Sequence, residues 1–130
     1  MTEKEAFNLS ALTLAWVGDA VYELHLRTAL LAESHKASSL SRLCVGFVNH
    51  GAQSRVLSAL EPLLTEKEAQ VLRRGRNANG SVPRGGNPGD YRRATGLEAL
   101  VGYLYLSGEA DRLQELFLIV DKECGIESSR

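Results

Sequence analysis

The 130-residue chain has no apolar run near the roughly 18 residues that a membrane-spanning helix needs, which excludes a helical span. Its start, Met1-Thr2-Glu3-Lys4-Glu5-Ala6, is polar and acidic, so no secretory signal peptide is expected. Cysteine is scarce: Cys44 and Cys124 stand alone, with no Cys-x-x-Cys pair. That argues against a zinc site or a disulfide framework and suits packing thiols in a reducing cytoplasm. No segment alternates polar and apolar residues long enough to be a strand; helical periodicity dominates, and the class expected is all-α. His25, His35 and His50 share neither a helix face nor a ligand spacing and read as structural or surface residues.

The length fits one domain, 1–130, able to bury roughly two-thirds of its unfolded surface without staples. Asn8 or Ser10 can cap a first helix running to about Trp16, and Val17, Val21, Leu24 and Leu31 recur at helical spacing in a second over 17–33. Residues 40–60 read as helical with a break near Val45-Gly46, closed by Pro62. Thr65-Glu66-Lys67-Glu68 is a capping box opening a helix to about Arg76. Residues 77–89 form a loop rich in glycine, asparagine and proline, expected to be flexible. Asp90 is the expected cap of a helix over 91–106, ended by Gly108, and residues 109–124 form a final amphipathic helix. The tail 125–130 is expected to fray.

A net charge of −1 hides an asymmetry. Residues 73–93 carry six basic side chains, all arginines (Arg73, Arg74, Arg76, Arg84, Arg92 and Arg93), against one acid, Asp90. Residues 1–72 and 94–130 are each acidic on balance. Clustered guanidinium groups favour a polyanion, because their planar fork meets phosphate through two parallel hydrogen bonds. A solvated loop between two helix ends is the plainer reading.

Two carboxylates stand out in apolar company. Asp19 lies in Leu14-Ala-Trp-Val-Gly-Asp-Ala-Val-Tyr22, and Glu98 in Ala94-Thr-Gly-Leu-Glu-Ala-Leu-Val-Gly-Tyr103. An acid among apolar neighbours costs several kcal/mol of desolvation unless it is paired or binds a metal. Each follows a glycine closely, which lets another backbone approach. Together they suggest a cation site built from two helices. Glu23, four residues after Asp19, shares its helix face and could join that site or pair with Arg27. Tyr22, Tyr91, Tyr103 and Tyr105 read as core residues.

These stretches, with Arg73-Arg-Gly-Arg-Asn-Ala-Asn-Gly80 and Tyr91-Arg-Arg between them, resemble the ribonuclease III catalytic domain. Within that family they are most similar to the Mini-ribonuclease III branch, which lacks a double-stranded-RNA-binding domain. The resemblance covers about residues 9–120, and the three motifs keep the family's order and spacing. It implies a homodimeric, Mg²⁺-dependent endoribonuclease (Mn²⁺ as substitute) that cuts double-stranded RNA, leaving 5′-phosphate and 3′-hydroxyl ends. It further implies a cytoplasmic role on the stem of precursor 23S ribosomal RNA, with a large-subunit ribosomal protein as a possible helper. Matched position by position, Asp19 and Glu98 are the catalytic metal ligands. Helix spacing, not the match, offers Glu23 as a further metal ligand. Charge clustering makes Arg73, Arg74, Arg76, Arg84, Arg92 and Arg93, with Asn77 beside them, the expected RNA-contacting residues. Trp16 falls where the family inserts an aromatic ring into its partner subunit. Ala15 and Thr95 stand where the wider family has a glutamate and an aspartate, so fewer protein ligands remain per metal. Two other classes stay open at this point. One is a non-catalytic RNA-binding or ribosome-assembly factor, which Ala15 and Thr95 favour. The other is an all-α nucleoside-triphosphate pyrophosphatase, which usually wants Glu-x-x-Glu pairs that are missing here.

Overall fold

A computed structural model describes residues 1–78 and 85–126. Residues 79–84 of the breaker-rich loop, Arg84 among them, and the tail 127–130 lie outside the described residues. Those described form seven α-helices and no strand. They are α1 (Glu3–Phe7), α2 (Ala11–Ala29), α3 (Ala37–Val48), α4 (His50–Leu60), α5 (Glu66–Arg76), α6 (Pro88–Leu106) and α7 (Ala110–Glu123).

The hub is α6. Every residue from Ala94 to Leu104 is buried except Glu98. A helix apolar all round must be enclosed, and α2, α4, α5 and α7 pack around this one. Leu97, Leu100 and Leu104 meet Leu14, Tyr22 and Leu26 of α2, Leu57 and Leu60 of α4, and Leu116 and Val120 of α7 in one core. Truncating any one of these leucines to alanine costs about 2–5 kcal/mol.

Glycine decides how closely α6 approaches its neighbours. A Cβ placed on Gly18 of α2 would fall inside the main-chain carbonyl of Glu98, and one on Gly102 inside that of Leu14. The two helices therefore cross backbone to backbone. On the other side, a Cβ on Gly75 of α5 would lie 2.7 Å from the Gly96 Cα.

Several boundaries differ from the sequence reading, each for a local reason. The segment 11–29 is one helix, not two, because Gly18 is a crossing point inside α2 rather than a break; Ser10 caps it by accepting from the Thr13 amide. The interruption in 40–60 falls at Asn49, not at Val45-Gly46. The Asn49 side chain accepts from the Ala52 amide at 2.9 Å and donates to the Val45 and Gly46 carbonyls, capping α3 and α4 together. Asn87, not Asp90, caps α6, with Pro88 in the first turn, where its missing N–H costs nothing. The short α1, absent from the sequence reading, is set by a capping box between Thr2 and Glu5. The cysteines are both free, as expected, with Cys44 buried. Of the tyrosines, Tyr22 and Tyr103 are core, whereas Tyr105 is exposed.

Candidate functional site

The α2–α6 crossing brings the two singled-out acids together. Because Gly18 rests on the Glu98 carbonyl, the next residue of α2, Asp19, stands beside the Glu98 side chain. Asp19 is exposed and Glu98 half-buried. The expectation that apolar neighbours would bury Asp19 is therefore corrected. Trp16 and Ala20 point outward with it, while Leu14, Ala15, Gly18 and Tyr22 face the core.

Burial pushes the Glu98 carboxyl up to about 8, helped by the adjacent Asp19 carboxyl, whereas the Gln53 side chain works in the opposite direction. Two neighbouring carboxyl groups cannot both ionise without mutual repulsion, which is strongest where burial keeps water from screening it. The chain alone relieves this by keeping a proton on Glu98. A cation relieves it without one, and an all-oxygen donor set suits a hard ion such as Mg²⁺ or Mn²⁺.

Among the described residues no three acidic, histidine or cysteine side chains converge. Glu23 is drawn to Arg27 at 3.2 Å instead of to the acid pair. Ala15 is buried, and the Thr95 hydroxyl, buried as well, donates to the Tyr91 carbonyl at 3.0 Å. Neither the Ala15 methyl nor the Thr95 hydroxyl, spent on a main-chain carbonyl, adds a charged ligand to the pair. Mg²⁺ retains several waters when only one or two carboxylates hold it, and the pair is sufficient for that mode.

Gln53, on α4, escaped the sequence reading. It is 1% exposed, faces Glu98, and its Oε1 finds no hydrogen-bond partner. An unpaired buried amide oxygen costs about 1–3 kcal/mol. The available signal was a polar residue in register with the apolar Val56, Leu57 and Leu60.

The arginines divide. Arg76, Asn77, Ala78, Gly89, Arg92 and Arg93 line a recess of about 440 Å³ between the end of α5 and the start of α6. Arg73 and Arg92 are exposed and Arg76 half-buried. Arg93, however, spends its donors inside the chain, on the Ser54 hydroxyl and carbonyl, the Ser58 hydroxyl and the Glu61 carboxylate at 3.0 Å. Arg74 donates to the carbonyls of Phe7 and Leu9 and lies over the Phe7 ring. Both were expected at RNA; here they tie α4 and α1 to the helices that carry the recess.

Trp16 is 78% exposed and continues a row of exposed apolar residues, Leu12, Ala20 and Leu24, at four-residue spacing along α2. Of the histidines, His25 is structural: its Nε2 lies 2.7 Å from Asp121 and its ring stacks on Phe117.

Comparison with known proteins points to one family. The ribonuclease III domain family model matches residues 12–109. The chain is 47% identical over 110 residues to the Mini-ribonuclease 3 of Symbiobacterium thermophilum, covering 83% of this chain and 85% of that one. It is 45% identical over 115 residues to that of Gloeobacter violaceus, covering 88% and 84%. A crystal structure of a Fusobacterium nucleatum protein superposes with a TM-score of 0.82 at 30% identity, over 88% of this chain and 95% of that one.

Proposed function

The chain belongs to the ribonuclease III family, among the Mini-ribonucleases 3, and is an endoribonuclease; from this premise we propose that it cuts double-stranded RNA with Mg²⁺ held by Asp19 and Glu98. The observation that carries the reading is the acid pair at the α2–α6 crossing, with Glu98 as the one gap in the otherwise buried stretch Ala94–Leu104 of α6. Family membership sets aside the nucleotide-pyrophosphatase reading.

When bound, the divalent ion lowers the pKa of water and stabilises charge on the phosphoryl group and the leaving 3′-oxygen. The rest falls to the chain. Asp19, exposed, and Glu98, half-buried, would hold the ion through their carboxylate oxygens, and Glu98 would have to be ionised to do so. Arg76 and Arg92, in the recess, neutralise backbone phosphates, and Asn77 suits a 2′-hydroxyl in the wide minor groove of an A-form duplex. Arg73 extends the basic face. Arg74 and Arg93 hold that face in place.

The exposed row of Leu12, Trp16, Ala20 and Leu24 is the surface through which two copies pair, as the family's inserted aromatic ring implies. A dimer sets two acid pairs against the two strands of one duplex, so each strand is cut. The proposed substrate is the stem of precursor 23S ribosomal RNA, with a large-subunit ribosomal protein shaping it, in the cytoplasm. No helix of the described residues is long and apolar enough to cross a membrane.

The test is to map both strands after digestion of that stem and of an unrelated duplex of equal length. Paired cuts carrying 5′-phosphates and 3′-hydroxyls, with the ribosomal stem preferred, are expected. Equal cutting of both duplexes would remove the substrate proposal, and 3′-phosphate ends would remove the mechanism.

A further inference from the structure

Besides the tyrosines, four polar or charged side chains are buried among the described residues. Three have partners within the chain: Glu68 with Arg112, Thr95 with the Tyr91 carbonyl, and Asp121 with His25. Gln53 is the fourth, and its Oε1 has none; the buried Tyr22 hydroxyl is unpaired too, but its ring fills the core, whereas Gln53 brings no apolar group to it. It sits on the inward face of α4, aligned with Val56, Leu57 and Leu60, where a leucine would fill the space with nothing left unpaired. Since α4 packs on α6, the side chain lies against Glu98, the one residue of the enclosed stretch that opens toward the acid pair. A glutamine kept at such a position, with an acceptor unused by the protein, is suited to a ligand the protein binds.

Resting on the reading of Asp19 and Glu98 as cation ligands, we propose that Gln53 is a positioning residue of that centre. Its amide N–H group holds the Glu98 carboxylate, and its free Oε1 accepts a hydrogen bond from the hydration shell of the cation. Groups that orient a metal-ligating carboxylate commonly shift metal affinity by about 10- to 100-fold. A neutral amide is the appropriate chemistry here. A third carboxylate would add to a repulsion already present between Asp19 and Glu98, whereas an amide offers both a donor and an acceptor without charge. It also makes sense of a site with two acids: part of the task of the missing carboxylates passes to an uncharged group on α4.

The experiment measures Mn²⁺ binding by the loss of the free-ion paramagnetic resonance signal, for the wild-type chain, Gln53→Leu and Gln53→Met. Melting temperatures are taken with and without Mn²⁺. Both variants are expected to melt at or above the wild type in the absence of metal, since the unpaired oxygen is gone. They should bind Mn²⁺ about tenfold more weakly and lose most of the metal-induced rise in melting temperature. With Mn²⁺ at saturation, kcat should fall while the KM for duplex RNA stays put. Variants that melt lower without metal yet bind Mn²⁺ like the wild type would make Gln53 a packing residue and overturn the proposal. Leucine and methionine differ in shape, so whichever folds gives the answer. A wild-type chain that binds no Mn²⁺ would overturn the metal reading itself, whereas unchanged variants beside a binding wild type overturn only the role of Gln53.

Discussion

Replacing Glu98 by glutamine should stabilise the protein, by an amount that depends on pH in a specific way. The carboxyl normally ionises near 4.5 and is pushed up to about 8, first by burial and then by Asp19. Below pH 4.5 it is protonated in folded and unfolded chains alike, so it carries no penalty there. Between 4.5 and about 8 the unfolded chain releases the proton and the folded chain keeps it, so stability falls as pH rises; above about 8 the whole penalty is present. At pH 7 the difference corresponds to about 3 kcal/mol. Water reaching the half-buried carboxyl trims it to about 1–2 kcal/mol. Glu98→Gln has nothing to ionise and escapes this loss. With about 3–6 °C per kcal/mol for a domain of this size, the variant should melt roughly 5–10 °C above wild type at pH 7. At pH 4.5 the two should melt together. Thermal denaturation by circular dichroism in metal-free buffer across pH 4.5–8.5 measures this. A difference that stays constant with pH, or a variant that melts lower at pH 7, would refute the reasoning.

Three further outcomes follow from the geometry. Gly18→Ala puts a methyl group into the Glu98 carbonyl, forcing α2 off α6 at a cost of about 3 kcal/mol or more, and should broaden or abolish the cooperative melt. Arg92→Ala should leave stability within about 0.5 kcal/mol and lower the slope of log affinity against log salt by roughly one contact, whereas Arg93→Ala should lose about 2 kcal/mol of folding stability along with its bonds to Ser54, Ser58 and Glu61. Trp16→Ala should shift the chain toward monomer in light scattering without lowering the helical signal; a wild-type chain that is already monomeric would contradict the proposed pairing surface.

Much of this molecule could be read from the order of its residues, and the misreadings share a cause. Periodicity and capping chemistry located the helices, as with Thr65 and Glu68 at the start of α5. The glycine before Asp19 was read correctly as a point of close approach, since Gly18 lies on the Glu98 carbonyl, but the division of 11–29 near Trp16 was wrong. Gly46 looked like part of a break, yet it lies within α3, meets no neighbour, and leaves the end of the helix to Asn49. The apolar neighbours of Asp19 suggested burial because a linear string does not show which side of a helix is covered; Trp16 and Ala20 prove to be on the open side. Composition grouped six arginines, but it cannot tell a free guanidinium from one committed to a carbonyl 65 residues away, as Arg74 is to Leu9. Gln53 was hardest to find, since its meaning depends on Glu98 reaching it across two helices.

The most direct test of the central claim is single-turnover cleavage of an end-labelled RNA duplex by the purified chain, with and without Mg²⁺, beside Asp19→Asn. The account predicts cutting of both strands only when Mg²⁺ is present, and at least a hundredfold loss in the variant, roughly the effect of removing one direct charge-stabilising contact. Cutting that persists in chelator, or an Asp19→Asn chain as active as wild type, would contradict it.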